Sequence, residues 1–363
     1  MNILDYNPEL GTFSAGMESI YHNQVVDAVQ LTSKTQYAYN TVHKTLHPPD
    51  NTPLEQYKPT EKIDLAVFSP AYKTQPTRQK QEKIDTEDIE AIFAYIEEQN
   101  PENIIIKAEP DIIPHLNTAP EPVRDAYGTT SYNDFIFRLG ELGYNAHQIT
   151  LDEANYGIPQ HRKFTFFIGT PEDVFLPHIP KKTVKKYTTV GQAIGDLGKT
   201  GDYMPYRTAP QNRYQERLRN PRLTRVTWHH KAKIKPETAK KIHGVLPGSN
   251  NNTPIPHGRA KGYNRSRADR IGRKITHEFF KSGSTTGDTI HPTQDRPYTI
   301  REGCRLHGHP DVLSFPLGTP KNLIGQLIHS NPSPITGQII ALLMQSQIDY
   351  ESKGIRQRET DYF

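Results

Sequence analysis

Short apolar runs alternate with amphipathic segments through the first half of the chain. Apolar runs that predict buried β-strands occupy residues 3–5, 25–29, 65–68, 104–106 and 164–169. Segments with helical spacing of apolar positions occupy residues 16–20, 33–43, 85–99 and 132–142. This alternation predicts an α/β fold with a doubly wound, mainly parallel sheet.

The pattern changes after about residue 180. Residues 181–290 are rich in Gly, Pro, Asn and Thr and have no long apolar period, which predicts a second, smaller domain of short strands and loops. A helical pattern returns at residues 335–347. We therefore expect an α/β domain, a smaller basic domain, a C-terminal helix that returns to the first domain, and a polar tail, at residues 1–180, 181–320, 321–350 and 351–363.

Charge is distributed unevenly along the chain. Residues 181–280 hold 23 lysines and arginines against 6 acids, a net charge of +17, whereas the remaining residues have a net charge of −13. A solvated surface is one interpretation, but a polyanion would relieve the self-repulsion, and double-stranded DNA is the natural partner. The candidate DNA contacts in this segment are Arg213, Arg225, Lys231, Lys233, Arg259, Lys261, Arg265, Arg267, Arg270 and Arg273.

Composition excludes several other classes of protein. No apolar run reaches the roughly 18 residues of a membrane span, and the N-terminus lacks a secretory pattern. The single cysteine, Cys304, excludes a disulfide framework and a thiol-rich metal site. His229, His230 and His257 lack metal-ligand spacing, so we expect no metal. We expect a cytoplasmic, nucleoid-associated protein.

Five stretches, in order, resemble motifs of the DNA cytosine-5 methyltransferase family. They are the cofactor-binding opening, the segment ELGYNAHQ, and the eighth, ninth and tenth motifs, at residues 4–18, 141–148, 153–169, 296–311 and 324–328. The resemblance implies a Rossmann-like methyltransferase fold with a target-recognition domain, S-adenosylmethionine as cofactor and DNA as partner. Within the eighth motif, Gln160 and Arg162 match the family's polar positions and are further DNA-facing candidates, whereas Phe164 replaces a second arginine.

The positions that perform chemistry in that family hold other residues here. Tyr72 occupies the place of the nucleophilic cysteine, and a phenol is a far poorer carbon nucleophile than a thiolate. Lys107 occupies the place of the glutamate that bonds the target base, and we interpret it as a solvated or DNA-facing cation. Glu109, two residues on, is too far along the strand to substitute. Cys304 is expected to be a small core residue.

The cofactor positions are altered as well. Asn7, Glu9 and Gly11 align with the family's glycine-rich loop, so Glu9 adds a charged side chain where bare backbone is expected. Gln30 replaces the acid that binds the ribose, and Gln326 aligns with the asparagine of the tenth motif. We therefore expect no cofactor, with these five residues marking a degenerate site.

These substitutions predict a catalytically inactive homologue that still binds DNA. It would act as partner or regulator of an active methyltransferase, or as a restriction–modification accessory factor. The alternative is an active S-adenosylmethionine-dependent enzyme, because Ser69-Pro70-Ala71-Tyr72 resembles the turn of amino-methyltransferases, which need no thiol.

Overall fold

The structure is a computed structural model of the full chain. It describes residues 1–353 with the exception of residues 21, 75–81, 85, 109–131, 175–179, 202, 222, 250–253, 256–257, 260–262, 274 and 282–288. Lys261 and Glu109 therefore lie outside the described residues, as do the side chains of Tyr72 and Arg259.

Six strands form the central sheet, and six short strands form three small ribbons. In chain order the strands are β1 Asn2–Tyr6, β2 Gln24–Val29, β3 Leu65–Phe68, β4 Tyr72–Thr74, β5 Glu82–Ile84, β6 Asn103–Ala108, β7 Tyr144–Asp152, β8 Lys163–Pro171, β9 Met204–Pro205, β10 Arg225–Val226, β11 Pro254–Ile255 and β12 Gly258–Arg259. The central sheet has the order β2-β1-β3-β6-β8-β7. The pairs β4–β5, β9–β10 and β11–β12 are antiparallel ribbons.

The helices are α1 Thr12–Glu18, α2 Gln36–Val42, α3 Thr86–Gln99, α4 Tyr132–Glu141, α5 Val190–Ile194, α6 Arg213–Leu218, α7 Pro236–His243, α8 Ile300–Leu306, α9 Lys321–Ser330 and α10 Pro334–Lys353. A 3-10 helix at Glu153–Tyr156 follows β7. None of the helices in the described part of the chain has the length and apolar character needed to cross a membrane.

The sheet is mostly parallel and is covered on both faces. Strands β2, β1, β3 and β6 are parallel, and β8 pairs antiparallel with both β6 and β7 at one side of the sheet. Side chains alternate across the sheet, so Ile3, Val67 and Ile105 pack with α1 and α10 in one core. Leu4, Ala66 and other residues of the opposite face pack with α3 and α4 in a second core. This arrangement confirms the predicted doubly wound, methyltransferase-like fold.

Helix α10 lies against α1 at backbone contact distance. A Cβ at Gly16 would collide with the carbonyl of Pro334, and one at Gly337 would collide with the carbonyl of Phe13. The hydroxyl of Thr12 donates a 2.8 Å hydrogen bond to the carbonyl of Pro332. The start of α10 therefore packs beside the loop that follows β1.

The structure corrects several predicted elements. Strand β7 was not predicted, although it is nine residues long, because its burial alternates irregularly along the strand. Residues 181–290, predicted to contain only strands and loops, also form helices α5, α6 and α7. These helices are short, five to eight residues, so they give little periodic signal.

A buried ionic network holds helix α8 against the surrounding chain. Arg305 is fully buried, and its guanidinium donates to the carboxylates of Asp196 and Asp311 at 2.6–3.2 Å. Arg296 pairs with Glu302 at the start of the same helix at 2.6 and 2.8 Å. Removing one partner of such a pair would leave an uncompensated buried charge, so these contacts fix the position of the ninth-motif residues.

Candidate functional site

Three segments predicted to form the site converge at one edge of the sheet. Tyr6, Phe68 and Ile106 are neighbours in register on β1, β3 and β6. The loop after β1, the turn after β3 and Lys107 on β6 therefore lie side by side at the carboxyl ends of parallel strands. In open α/β sheets this edge is where ligands bind.

The turn after β3 is held by hydrogen bonds from two sides. Asn7 donates its side-chain amide to the carbonyl of Ser69 at 2.8 Å, and the Ser69 amide donates to the Tyr6 carbonyl at 3.1 Å. Asp88, in the first turn of α3, accepts from the amide of Ala71 at 2.7 Å and from the hydroxyl of Tyr6 at 2.5 Å. The backbone before Tyr72 is thus fixed, and Tyr72 itself begins β4.

Lys107 is buried, which corrects its interpretation as a solvated or DNA-facing cation. Its side chain is only 5% exposed. Strand alternation directs it to the same face as Ile105 and Asp5. Burial raises the pKa of Asp5, while a bond from Ser14 and the nearby charges of His43 and Lys107 oppose that shift. Lys107 therefore contributes positive charge to the interior.

The loop after β1 adopts left-handed backbone at three positions. Asn7, Glu9 and Gly11 have φ angles of 50°, 52° and 63°. Position 11 favours glycine for two reasons. Its φ angle is positive, and a Cβ there would collide with the ring of Tyr39. Glu9 is held by its carboxylate, which accepts from Ser330 Oγ at 2.7 Å and from Asn331 Nδ2 at 2.6 Å. We call Glu9, Ser330 and Asn331 the Glu9 clasp.

The clasp corrects the alignment of the tenth motif. Gln326, the aligned residue, lies on an exposed position of α9. The residues that reach the loop after β1 are Ser330 and Asn331, at the end of that helix. The sequence offers one signal for them, because the segment Asn-Pro-Ser-Pro that begins at Asn331 marks the break between α9 and α10.

A buried polar cluster supports the loop from below. The ring of His43 stacks on Tyr39, with 4.0 Å between ring centroids. Its two nitrogens contact the carbonyl of Gly11 at 3.0 Å and the carboxylate of Glu18 at 2.8 Å. Tyr39 in turn donates to Asp5 at 3.2 Å. The loop therefore rests on side chains of α1 and α2.

Gln30 follows β2 and has a φ angle of 61°. Its side-chain amide donates to the carbonyl of Thr52 at 3.3 Å. This weak contact turns the amide toward the loop at residues 50–52, where Asp50 accepts from the Thr52 amide at 2.7 Å. An amide bonded in this way offers less to a ribose than the carboxylate that the resemblance implies.

The two eighth-motif candidates are structural residues. Gln160 is 1% exposed, donates to the carbonyl of Leu306 at 3.0 Å and accepts from the amide of Ile275 at 3.1 Å. Arg162 is 8% exposed, donates to the carbonyl of His329 and lies over the ring of Phe164. Both were predicted to face DNA, and burial overturns that prediction because neither polar group reaches the surface.

Arg265, which belongs to the basic segment, was also predicted to contact DNA and is also buried. It is 4% exposed, and its guanidinium donates to Asp295 and to several backbone carbonyls, among them those of Val245 and Ile242. A guanidinium with all its donors engaged inside the protein cannot also contact phosphate. Arg265 therefore organises the surrounding loops.

The remaining described cations of the predicted set are exposed. They are Arg213, Arg225, Lys231, Lys233, Arg267, Arg270 and Arg273. Three of them have internal partners: Arg225 donates to the carbonyl of Tyr203, Arg267 pairs with Asp269, and Arg273 donates to the carbonyl of Ser249. These seven side chains are the available part of the predicted DNA surface.

The sequence profile of C-5 cytosine-specific DNA methylases matches residues 1–340. The chain belongs to this family. It is 28% identical over 204 residues to the type II methyltransferase M.DdeI of Desulfomicrobium norvegicum, a match that covers 49% of this chain and 47% of that protein. It is also 28% identical over 221 residues to the type II methylase M.HgiDII of Herpetosiphon aurantiacus, covering 58% and 57%. The chain thus spans about half the length of these relatives.

Solved structures of DNA methyltransferases share the fold of this family member. A prophage-encoded protein of E. coli, described as a DNA modification methyltransferase, superimposes with a TM-score of 0.70 at 15% identity and covers 96% of this chain and 99% of its own. The Dnmt2 methyltransferase of S. pombe superimposes with a TM-score of 0.57 at 15% identity and covers 95% and 99%. At these identities the likeness supports the fold.

This methylase-family chain has one thiol, and it is enclosed. Cys304 lies on α8, is fully buried and is the only cysteine in the sequence. Burial raises the pKa of its thiol to about 11. A buried thiol with a raised pKa is not a nucleophile at neutral pH. Within the described residues, no group of three or more potential metal ligands forms a metal site.

Proposed function

We propose that this protein is a catalytically inactive C-5 cytosine methylase homologue that binds double-stranded DNA. It would act in the cytoplasm, with the nucleoid, as partner or regulator of an active methyltransferase or of another restriction–modification component. One observation carries the proposal: the only thiol in the chain is buried on α8, while position 72 holds tyrosine.

The chemistry of the family explains why that observation supports catalytic inactivity. Attack on carbon 6 of a flipped cytosine needs a thiolate at the turn after β3. A phenol with an ordinary pKa near 10 is almost entirely protonated at neutral pH and is a weak carbon nucleophile. Lys107 adds a second obstacle, because an ammonium cannot accept a hydrogen bond from the base as a glutamate would.

The loop after β1 does not fit S-adenosylmethionine. A cofactor that needs to approach bare backbone meets the Glu9 side chain, whose carboxylate is bonded to Ser330 and Asn331. Binding there would require these hydrogen bonds to break or the loop to move. We therefore expect no cofactor.

DNA binding is supported by the exposed cations of residues 181–280 and by their net charge of +17. Lysine and arginine at such a surface contact chiefly phosphate, and arginine can also read guanine. The intact methyltransferase scaffold supports a partner role, because a scaffold without its nucleophile can still contribute DNA contacts to an active subunit.

The test uses the purified full chain and duplex DNA that contains 5-fluorocytosine. We expect salt-dependent binding of the duplex, no methyl transfer, and no protein–DNA band that survives denaturation. An active cytosine-5 methyltransferase run in parallel must give that band. A stable band from this protein that maps to any residue would contradict inactivity, and absence of duplex binding would contradict the DNA-binding part. Co-purification from the native host would identify a methyltransferase partner.

A second candidate is methylation of an exocyclic amino group. It is favoured by the turn Ser69-Pro70-Ala71-Tyr72, whose backbone is fixed by Asn7 and Asp88. In an amino-methyltransferase such a turn accepts hydrogen bonds from the base amino group, and its aromatic ring stacks on the flipped base. This candidate requires S-adenosylmethionine. Transfer to N4 of cytosine or N6 of adenine that is lost in both Ser69→Ala and Tyr72→Ala would favour it over the inactive homologue.

A further inference from the structure

A short run of lysines at the start of the basic residues 181–280 is not among the individual candidate DNA contacts named above. Lys181, Lys182, Lys185 and Lys186 occupy an irregular stretch between β8 and α5, and all four are exposed. Lys163, at the start of β8, is exposed as well. In the described part of the chain, none of these five side chains forms an ion pair with an acid. We call residues 181–186 the lysine segment.

The lysine segment is attached to the 3-10 helix that precedes the eighth motif. The amide of Thr183 donates to the carbonyl of Asn155 at 3.0 Å. Just before the segment, the carbonyl of Pro180 accepts from the hydroxyl of Tyr156 at 2.7 Å. These bonds fix the backbone, so less conformational entropy is lost when the lysines meet a ligand.

An aromatic residue borders the lysine segment. The ammonium of Lys182 lies 3.9 Å from the ring centroid of Tyr187, and the ring of His161 meets the same ring edge-on at 5.1 Å. The nearby carboxylate of Asp152 accepts from His161 at 2.8 Å and from the amides of Ala154 and Arg162. The hydrogen bonds of this acid go to His161 and to backbone amides, and none goes to a lysine of the segment.

We infer that the lysine segment is a second contact for the phosphate backbone of double-stranded DNA, an inference that rests on the proposed DNA binding. Five residue steps of extended chain reach at most about 18 Å. A duplex presents about ten phosphate charges over that length. The contact residues are all lysines, which suit phosphate as point charges and lack the planar fork that reads guanine.

The chemistry predicts a contact that does not distinguish sequences. Exposed arginines, which can read bases, occur in the neighbouring region from Arg207 onward, whereas the exposed cations of 163–186 are lysines. An acidic protein surface is the other polyanion that lysines bind. DNA is favoured because the lysine segment is continuous in sequence with the basic residues that extend to position 280.

The experiment compares Lys185→Gln/Lys186→Gln with Lys34→Gln/Lys58→Gln, which also replaces two exposed lysines but in the first 60 residues. Fluorescence anisotropy measures the affinity of each full-length variant and of wild type for several unrelated duplexes across a salt series. Thermal melts verify that both variants are folded. Poly-glutamate is titrated in parallel as the acidic-polypeptide probe.

We expect the 185/186 variant to bind every duplex about tenfold more weakly at low salt, with a log–log salt slope smaller by about 1.8 for two lost phosphate contacts. The 34/58 variant should match wild type. Unchanged affinity and slope in the 185/186 variant, while wild type binds DNA, would overturn the inference alone. A loss confined to one duplex sequence, or tighter binding of poly-glutamate than of DNA, would also overturn it. A wild type that binds no duplex would overturn the proposed DNA binding as well.

Discussion

The side-chain amide of Asn331 donates a 2.6 Å hydrogen bond to the carboxylate of Glu9, 322 residues earlier in the chain. Glu9 keeps a left-handed backbone, φ 52°, which costs a residue with a Cβ roughly 1–2 kcal/mol. Charge-assisted hydrogen bonds from two donors offset a cost of that size. The contact therefore joins the loop after β1 to the junction of α9 and α10 and stabilises both.

The first prediction concerns the Glu9 clasp. Wild type should show weak or absent affinity for S-adenosylmethionine in calorimetry. Glu9→Gly should raise that affinity measurably, because it removes the side chain and its charge and suits the positive φ. His22→Gly is the matched control, since His22 is an exposed residue with a φ of 67°. Micromolar binding by wild type, about −8 kcal/mol, would count against our reading of the clasp.

The second prediction separates buried from exposed arginines. Arg265→Ala should lower the free energy of unfolding by about 3 kcal/mol or more, because it leaves a group of carbonyls and Asp295 without their donor. Arg270→Ala, at an exposed site in the same region, should change it by less than about 0.5 kcal/mol. Urea unfolding of both variants measures the difference. Equal stability of the two would mean that the Arg265 contacts are not maintained in solution.

The third prediction is a loss of stability in acid. Burial lowers the pKa of His291 to about 4 and that of His309 to about 3. Both imidazoles are neutral when the protein is folded, whereas the unfolded chain protonates them below about pH 6.5. The unfolded state therefore binds more protons as pH falls, and each histidine removes about 1.4 kcal/mol per pH unit below pH 6.5 until its folded pKa is reached.

His309→Gln tests this pH dependence directly. Glutamine can still donate to the carbonyl of Ile328, which accepts from His309 Nε2 at 2.9 Å, but it does not titrate. Between pH 6 and pH 5, the slope of the free energy of unfolding against pH should decrease by about 1.4 kcal/mol per pH unit, which corresponds to one proton. His230→Gln, at an exposed site, is the comparison. The idea fails if both variants keep the wild-type slope.

The fourth prediction concerns restoration of catalysis. Tyr72→Cys alone should form no adduct with 5-fluorocytosine DNA, because Lys107 still lacks an acceptor for the base and the Glu9 clasp is intact. Lys107→Glu should be destabilising, because it places a second carboxylate in the interior with Asp5. Denaturing gels measure the first outcome and urea unfolding the second. An adduct formed by Tyr72→Cys alone would show that the thiol was the only missing group.

The sequence was sufficient for five of the six strands of the central sheet, because each of them contains a short apolar run. Leu65–Phe68 is buried at every position, and the predicted bounds match those of β3. Strand β7 was not predicted because its exposure does not alternate regularly, although the segment ELGYNAHQ, which includes its first residues, resembles a family motif. Two short helices of the basic region, α5 and α6, begin at the capping residues Thr189 and Asn212, and they are too short for a clear apolar period.

The site was harder to predict, because the sequence does not show which polar residues are buried. Gln160, Arg162 and Arg265 have the side chains of DNA-contacting residues, yet each satisfies backbone groups far away in sequence. Ser330 and Asn331 were missed for the same reason, since their partner Glu9 is more than 320 residues distant. The packing of the start of α10 on α1 places the α9–α10 junction beside the loop after β1.

The seclusion of Cys304 makes the protein convenient for chemical labelling. A cysteine introduced at any exposed position would be the one thiol that a maleimide reagent or a disulfide-tethered oligonucleotide can reach. No background mutation would be required beforehand. Cysteines placed in turn at Lys186 and at Arg270 could therefore report, by cross-linking, how a duplex is oriented on the surface.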